Sequence, residues 1–210
     1  PKDMQDGRIS ITDGDITANL PYVDGVHIAF DHHISELSRI ICPPNYIVYP
    51  NAPSAARVVY EYYGAEDRFK NIPKTLMEAV DKADSAKYTV DQIMNPTGWV
   101  LLAFIMDART GLGRFQNFRI TNYQLMMKLV DLCREKSVDE ILQDEDVRER
   151  VDLYFEHKDK FVEQLKRCTR VHKTMAHICL RDEPTIYAGN RFMVYALFPQ
   201  INISVHEIWG

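Results

Sequence analysis

Short apolar segments alternating with amphipathic helices restrict the fold of this chain more than any other feature. "RISI" (Arg8–Ile11) and "GVHIAF" (Gly25–Phe30) read as short strands, bounded by Gly, Asp and Pro. "PSAARVVYEYYG" then reads as a helix opened by Pro53 or Ser54 and stopped by Gly64, with Ala56, Val59, Tyr60 and Tyr63 on its apolar face. A second helix, "PKTLMEAVDKADSAKY", opens at Pro73 and turns Leu76, Ala79, Val80 and Ala83 inward. This strand–helix–helix succession with short turns implies an α/β domain built around a parallel sheet.

The later text is mainly helical and then changes character. "NYQLMMKLVDLCREK" carries Leu125, Met126, Leu129, Val130 and Cys133 at helical spacing. Ser137 and Glu140 in "SVDEIL" make a capping-box start. "DVRERVDLYFEHKDKFVEQLKRC" places Val147, Val151, Tyr154, Phe155, Phe161, Val162 and Leu165 on one stripe. From Val171 onward "MAHICL", "TIYAG", "FMVYALF" and "INISVHEIW" read as strands, which sets an expected boundary near residue 170.

Composition narrows the function classes. The chain has 210 residues, 46% hydrophobic and 26% charged, as in an ordinary globular protein. With 25 basic and 30 acidic residues its net charge is −5, which gives no general attraction to long duplex nucleic acid or to an anionic membrane. No apolar run approaches the roughly 18 residues of a membrane span. Cys42, Cys133, Cys168 and Cys179 are scattered without a C-x-x-C pair, so reduced thiols in a cytoplasmic protein are expected, with no disulfide framework and no structural zinc.

Asp31-His32-His33 follows the apolar run directly, at the carboxyl end of a strand, where ligands gather in open α/β sheets. Carboxylate and imidazole are ligands for Mn²⁺, Mg²⁺ and the borderline metals. Asp13 and Asp15 are expected just after the preceding strand, and Asp81 and Asp84 lie three apart on one helical face. Adjacent histidines also occur in plain surface loops, and Asp81 and Asp84 could form a solvated face beside Lys82 and Lys87. Together, however, carboxylates at successive strand ends plus a His are what a two-metal phosphoryl site requires. "DARTGLGR" adds Arg109 and Arg114 as a phosphate clamp, with Gly111 and Gly113 admitting backbone N–H groups to an anion; a turn with Arg109 paired to Asp107 is the alternative. The remaining histidines, His27, His157, His172, His177 and His206, stand singly in helix or strand text, where core or surface roles are the default.

"FDHHISE", with "DITANLPYVDG" before it and "AVDKADSA" after it, resembles the DHH phosphoesterase superfamily. "GWVLLAFIMDARTGLGRFQNFRITNYQLMM" is similar to the branch called exopolyphosphatase-related proteins. The resemblance implies an α/β, parallel-sheet DHH-type domain with a helical extension over residues 1–170, and the incomplete start of a β-rich, DHHA1-like domain over 171–210. It implies a hydrolase of phosphoanhydride or phosphodiester bonds using water activated by two Mn²⁺ ions, with Mg²⁺ or Co²⁺ as substitutes. Carried across, Asp15 or Asp13 matches the aspartate that bridges the metals, His32 the metal-binding histidine, and Asp84, with Asp81 as its rival, the fourth-motif aspartate. His33 matches the histidine that faces the substrate phosphate, and Asp31 the residue that orients the site from behind.

The implied substrates are small: polyphosphate, pyrophosphate or a short oligonucleotide. A short-RNA or cyclic-dinucleotide phosphodiesterase is one alternative to the polyphosphatase reading. A non-catalytic binder of a phosphorylated ligand is another, and a homodimer is compatible with all three. The family's first motif, Asp-x-Asp-Gly, and its glycine-rich C-terminal motif are not found, and "PKDMQDG" lacks an initiator Met. The sequence reading therefore expects a piece of a longer protein, with one ion at best and weak activity of its own.

Overall fold

The computed structural model describes residues 2–37, 41, 43–115 and 117–208, so Cys42 lies outside the described residues. Packing divides the chain into two compact units, 1–87 and 88–210. The change from helix to strand expected near residue 170 falls inside the second unit.

Unit 1 contains β1 (Ile16–Ala18), β2 (Ile28–Asp31) and β3 (Tyr46–Val48), with helices α1 (Lys2–Gln5), α2 (Ile34–Leu37), α3 (Ala55–Tyr62), α4 (Ala65–Arg68) and α5 (Lys74–Ser85). The three strands form a sheet in the order β1-β2-β3, with both pairs parallel. β2 is central and reads as a buried strand, because Ala29, Phe30 and Asp31 are all enclosed. Phe30 takes an edge contact from Tyr62 of α3 at 5.1 Å between ring centroids, so the helix lies over the middle strand. Both principal helices start as their sequences imply. Ser54 caps α3 by accepting from the Arg57 N–H, and Pro73 precedes α5.

The expected strand over Arg8–Ile11 is not formed; the strand comes later, at Ile16–Ala18. The reason is local. Asp15 accepts from the Thr12 N–H at 2.7 Å and the Thr12 hydroxyl at 2.8 Å, closing "TDGD" into a turn that precedes the strand.

Unit 2 holds α6 (Val90–Met94), α7 (Gly98–Met106), α8 (Asn122–Glu135), α9 (Val138–Leu142), α10 (Glu145–Cys168), β4 (Thr169–His172), β5 (Met175–Cys179), α11 (Met193–Leu197) and β6 (Ile203–Glu207). α7 is apolar almost throughout and is buried as such: Leu101, Leu102, Phe104 and Ile105 pack with Leu125, Leu129, Ile141, Val147 and Tyr154 from α8, α9 and α10. The second half of α10 turns Phe161 and Leu165 onto a mixed sheet in which β4–β5 is antiparallel and β5–β6 parallel. The 24 residues of α10 thus serve two cores with one stripe. Phe155 departs from the stripe and is 44% exposed. No helix among the described residues is long and apolar enough to cross a membrane.

"FMVYALF" is a helix, α11, rather than the expected strand. Its β-branched and aromatic content suits a strand, but tertiary context decides. Asn190, buried, donates to the Ile93 carbonyl and to the Tyr154 hydroxyl, while its own Oδ1 accepts from the Phe192 N–H. That anchor starts the turn, and Met193 and Val194 then bury completely. "TIYAG" is likewise not a strand.

Two cationic ties, one buried and one partly exposed, hold the helices of this unit. Arg150, 1% exposed, donates to the carbonyls of Ile120 and Asp146 and lies 4.1 Å over the Phe118 ring. Lys128 bridges Asp144 at 2.6 Å and Asp146 at 2.7 Å. Burial alone would raise the Asp144 carboxyl, but the Lys128 ammonium and the Asp146 N–H hold it below the usual carboxylate range. Such a depressed group adds stability that is present above its unfolded pKa and lost as pH falls through the folded value. Lys128 is partly exposed and solvent screens the pair, so Lys128→Met should cost about 0.5–1 kcal/mol at neutral pH. The gap to the parent should close below about pH 4, as thermal melts across pH would show.

Candidate metal centre

Asp31 ends the central strand of the parallel sheet, so the chain leaves the sheet at His32 and His33. Its carboxylate is 1% exposed and fully engaged. Oδ1 accepts from the His32 N–H at 2.7 Å, the His33 N–H at 3.2 Å and His33 Nδ1 at 2.7 Å; Oδ2 accepts from the Tyr46 hydroxyl at 2.8 Å. Burial pushes its pKa up, but these four donors outweigh burial and hold it below the ordinary value. Asp31 is therefore an organiser, with its lone pairs spent on the protein. Tyr46, which sequence reasoning missed, completes it. The signal was the short "YIVY" run bounded by Asn45 and Pro50.

The two imidazoles are fixed differently. His33 is tied to Asp31 through Nδ1, and its side chain is 52% exposed, leaving Nε2 as the outward edge. His32 is 13% exposed, and its Nδ1 lies 3.0 Å from the Ala52 carbonyl oxygen. Only an Nδ1–H can bond a carbonyl, so the neutral ring presents an unprotonated Nε2. That Nε2 is buried without a hydrogen-bond partner, although Asp84 Oδ2 is 3.2 Å away. Two lone-pair donors facing each other repel unless a cation shares them. Neighbouring ligands of an octahedral ion with bonds of about 2.1 Å lie about 3.0 Å apart, close to the spacing seen here. The residues present fit a divalent ion at His32 Nε2 and Asp84 Oδ2. Asp31, His32 and His33 also bring one ligand-type atom each within 4.8 Å of one another.

The pair on α5 is separated by its partners. Asp81 receives Arg57 Nε at 3.0 Å and the Ser54 hydroxyl at 2.7 Å, so its carboxylate braces the start of α3. Asp84, one turn on, is the one that meets His32.

Asp13 and Asp15 do not reach this cluster. β1 runs alongside β2 in the register Ile16↔Ile28 to Ala18↔Phe30, so Asp15 stands level with His27, and the His27 N–H donates to the Asp15 carbonyl. Asp31 is four residues further along, about 13 Å at roughly 3.3 Å per residue. The Thr12 N–H and hydroxyl lower the Asp15 carboxyl and keep it at the opposite end of the sheet. Asn19, not an aspartate, stands level with Asp31, and its N–H donates to the Phe30 carbonyl. The expectation of carboxylates at the mouth of the first strand is corrected by the later start of that strand.

Arg109 and Arg114 belong to unit 2. Arg109 forms a fork on Asp107, with Nε and Nη2 each 2.8 Å from a carboxylate oxygen, which is the turn alternative. Burial alone would raise Asp107, but Arg109 and then Arg191 hold it low. Arg114 Nη2 donates to the carbonyls of Ile186 and Tyr187, and no carboxylate pairs with Arg114 among the described residues.

A central buried strand ending in Asp-His-His, with an aspartate of α5 against the first histidine, brings together the donor types that a metal-dependent phosphoester hydrolase uses. The chain is 55% identical to a pGpG-specific phosphodiesterase, PggH from Vibrio cholerae, over 100% of its own length and 68% of that chain, with a TM-score of 0.85. No family model matches the chain, and no curated protein does. Together with that enzyme, the chain belongs to the DHH phosphoesterases, a family of hydrolases.

Substitution separates the roles. His32→Ala and Asp84→Asn should each weaken Mn²⁺ binding by about tenfold or more, whereas His33→Ala should leave it nearly unchanged. Asp81→Asn should spare the ion and instead cost about 1–2 kcal/mol of stability, through Arg57 and Ser54 left unpaired. Calorimetric Mn²⁺ titrations beside thermal melts read both effects.

Proposed function

We propose that this protein is a divalent-metal-dependent phosphodiesterase that hydrolyses a short dinucleotide of the pGpG type to mononucleotides. The carrying observation is the 55% identity to a pGpG-specific phosphodiesterase along the whole chain. It favours the dinucleotide reading over the exopolyphosphatase-related one. His32 and Asp84 would hold an ion, with Mn²⁺ as the expected metal and Mg²⁺ or Co²⁺ as substitutes. A divalent ion there supplies Lewis-acid stabilisation of phosphoryl charge and lowers the pKa of an attacking water.

The chain's own residues do the rest. His32 is locked in one tautomer by Ala52, so no reorganisation is needed when its Nε2 is used. His33 is aimed by Asp31, which is in turn held by Tyr46. In the imidazolium form, with Nδ1–H on Asp31, the exposed Nε2–H of His33 would face the phosphodiester and pass its proton to the departing 3′ oxygen. The proton released by the attacking water, returned through solvent, would restore it. Water adds to phosphorus, the P–O3′ bond breaks, and pGpG plus water gives two GMP. Removing a positioned proton donor of this kind lowers turnover by about 10²–10⁴. A cytoplasmic setting, a homodimer, and the DHHA1-like character of residues 171–210 belong to the same reading.

Assay of the Mn²⁺-loaded protein against pGpG, pApA, pyrophosphate and polyphosphate tests it. Turnover of pGpG should exceed that of either phosphoanhydride at least tenfold, and His33→Ala should lower kcat by two orders of magnitude or more with Mn²⁺ affinity kept. Faster hydrolysis of polyphosphate would restore the exopolyphosphatase reading. Tight binding without turnover of any substrate would make the protein a sensor.

A further inference from the structure

The hairpin that follows α10 brings two cysteines together. β4 and β5 pair antiparallel, from His172↔Met175 beside the turn to Thr169↔Ile178 at the far end. One residue beyond that last pair stand Cys168, which ends α10, and Cys179, which ends β5. Facing residues of an antiparallel pair lie about 4.5–5.5 Å apart at Cα, within the range of about 4.4–6.8 Å that a disulfide spans. The sulfurs are close enough that the charge of Cys179 acts on Cys168. Both are free thiols and half-buried.

Each thiol has a carboxylate beside it. Cys168 Sγ donates to Glu183 Oε1 at 3.4 Å, and Cys179 donates to Glu207, its register partner on β6. Alternation along β5 buries Ala176 and Ile178 and leaves Met175, His177 and Cys179 half-buried on the other face, where a small reagent reaches the sulfur. Burial and then Glu183 push the Cys168 thiol above its ordinary value. This is therefore no activated dithiol of the oxidoreductase kind: it exchanges slowly at neutral pH, and its equilibrium with the surrounding thiols is what it reports. Cys133, on α8, packs instead against the other apolar cluster of the unit.

We propose that Cys168 and Cys179 form a reversible thiol–disulfide site whose oxidant is a low-molecular-weight disulfide. One protein thiolate attacks a sulfur of the small disulfide, whose S–S bond breaks to release one small thiol and leave a mixed disulfide on the protein. The facing thiolate then attacks the protein sulfur of that bond, and the second small thiol leaves. The protein loses two electrons and two protons, and the small disulfide gains both. The product withdraws one S–H donor each from Glu183 and Glu207 and ties the end of α10 to β5. Neither carboxylate is stranded: Glu183 keeps Gln164 and Arg167, and Glu207 keeps His177 and Arg181. The site lies wholly within unit 2 and does not depend on the hydrolytic reading.

The test equilibrates the full chain in buffers of oxidised and reduced glutathione, followed by acid quench, alkylation and peptide mapping by mass spectrometry without reduction. One cross-link, between the peptides that carry Cys168 and Cys179, is expected, two hydrogens lighter per chain and reversed by dithiothreitol. Its fraction should follow [GSSG]/[GSH]² and pass from about 10% to about 90% over a roughly 80-fold rise in that ratio. Cys168→Ser and Cys179→Ser keep a hydroxyl donor for Glu183 and Glu207, and each should abolish the cross-link. Cys133→Ser should leave it unchanged. If a serine variant melts early, the parent still decides, because mixed adducts follow [GSSG]/[GSH] instead. Mixed adducts alone, a cross-link to another cysteine, or a cross-link that forms only in denaturing urea overturns the site.

Discussion

The candidate metal centre depends on one buried carboxylate. Asp31 sits at the end of the central strand and accepts four hydrogen bonds, two from the backbone that follows it, one from the His33 ring and one from Tyr46. An ionised carboxylate in such a place is costly unless every lone pair is engaged, and here the protein supplies the donors itself. The same bonds that compensate its burial also fix the backbone that leaves the sheet and set the His33 imidazole, while the Ala52 carbonyl sets that of His32. Asp31 thereby links strand geometry to the placement of His32 and His33.

A second tie works one layer out. Asp81, Arg57 and Ser54 join α5 to the first turn of α3, so the helix that presents Asp84 is registered against the sheet by a neighbouring carboxylate. Asp81 and Asp84 share a helical face but have opposite duties. One is satisfied by protein donors and carries structure. The other meets an imidazole nitrogen without a hydrogen bond and keeps its coordinating capacity.

Much of this was legible in the sequence where the signal was local. The apolar run into Asp31-His32-His33, the Ser54 cap and the Ser137/Glu140 capping box each specify their own element within a few residues, and each formed. Failures came where partners distant in sequence decide. β1 is only three residues long, too short for alternation to announce it, and Asp15 looked like a strand-end ligand although it closes the turn before that strand. Asp81 and Asp84 cannot be told apart by spacing, because Arg57 lies 24 residues away from Asp81. "FMVYALF" has strand composition, but Asn190 and a closed apolar environment impose a helix. Arg109 was ambiguous for the same reason: whether Asp107 or a ligand receives its fork is settled by rotamer and packing, not by text.

The two units also differ in what holds them together. In unit 2, long helices and a mixed sheet enclose two broad apolar clusters, and burial of that area dominates. In unit 1 the cluster under the sheet is small, centred on Val26, Ala29 and Tyr46, and the helices lean on polar ties at Asp31 and Asp81 instead. A small core is marginal by itself, so oriented hydrogen bonds contribute a larger share of its free energy. A cation shared by His32 and Asp84 would relieve the one unsatisfied contact in that set and add its binding free energy to folding. If the proposed ion binds there, the stability of unit 1 would rise with its occupancy.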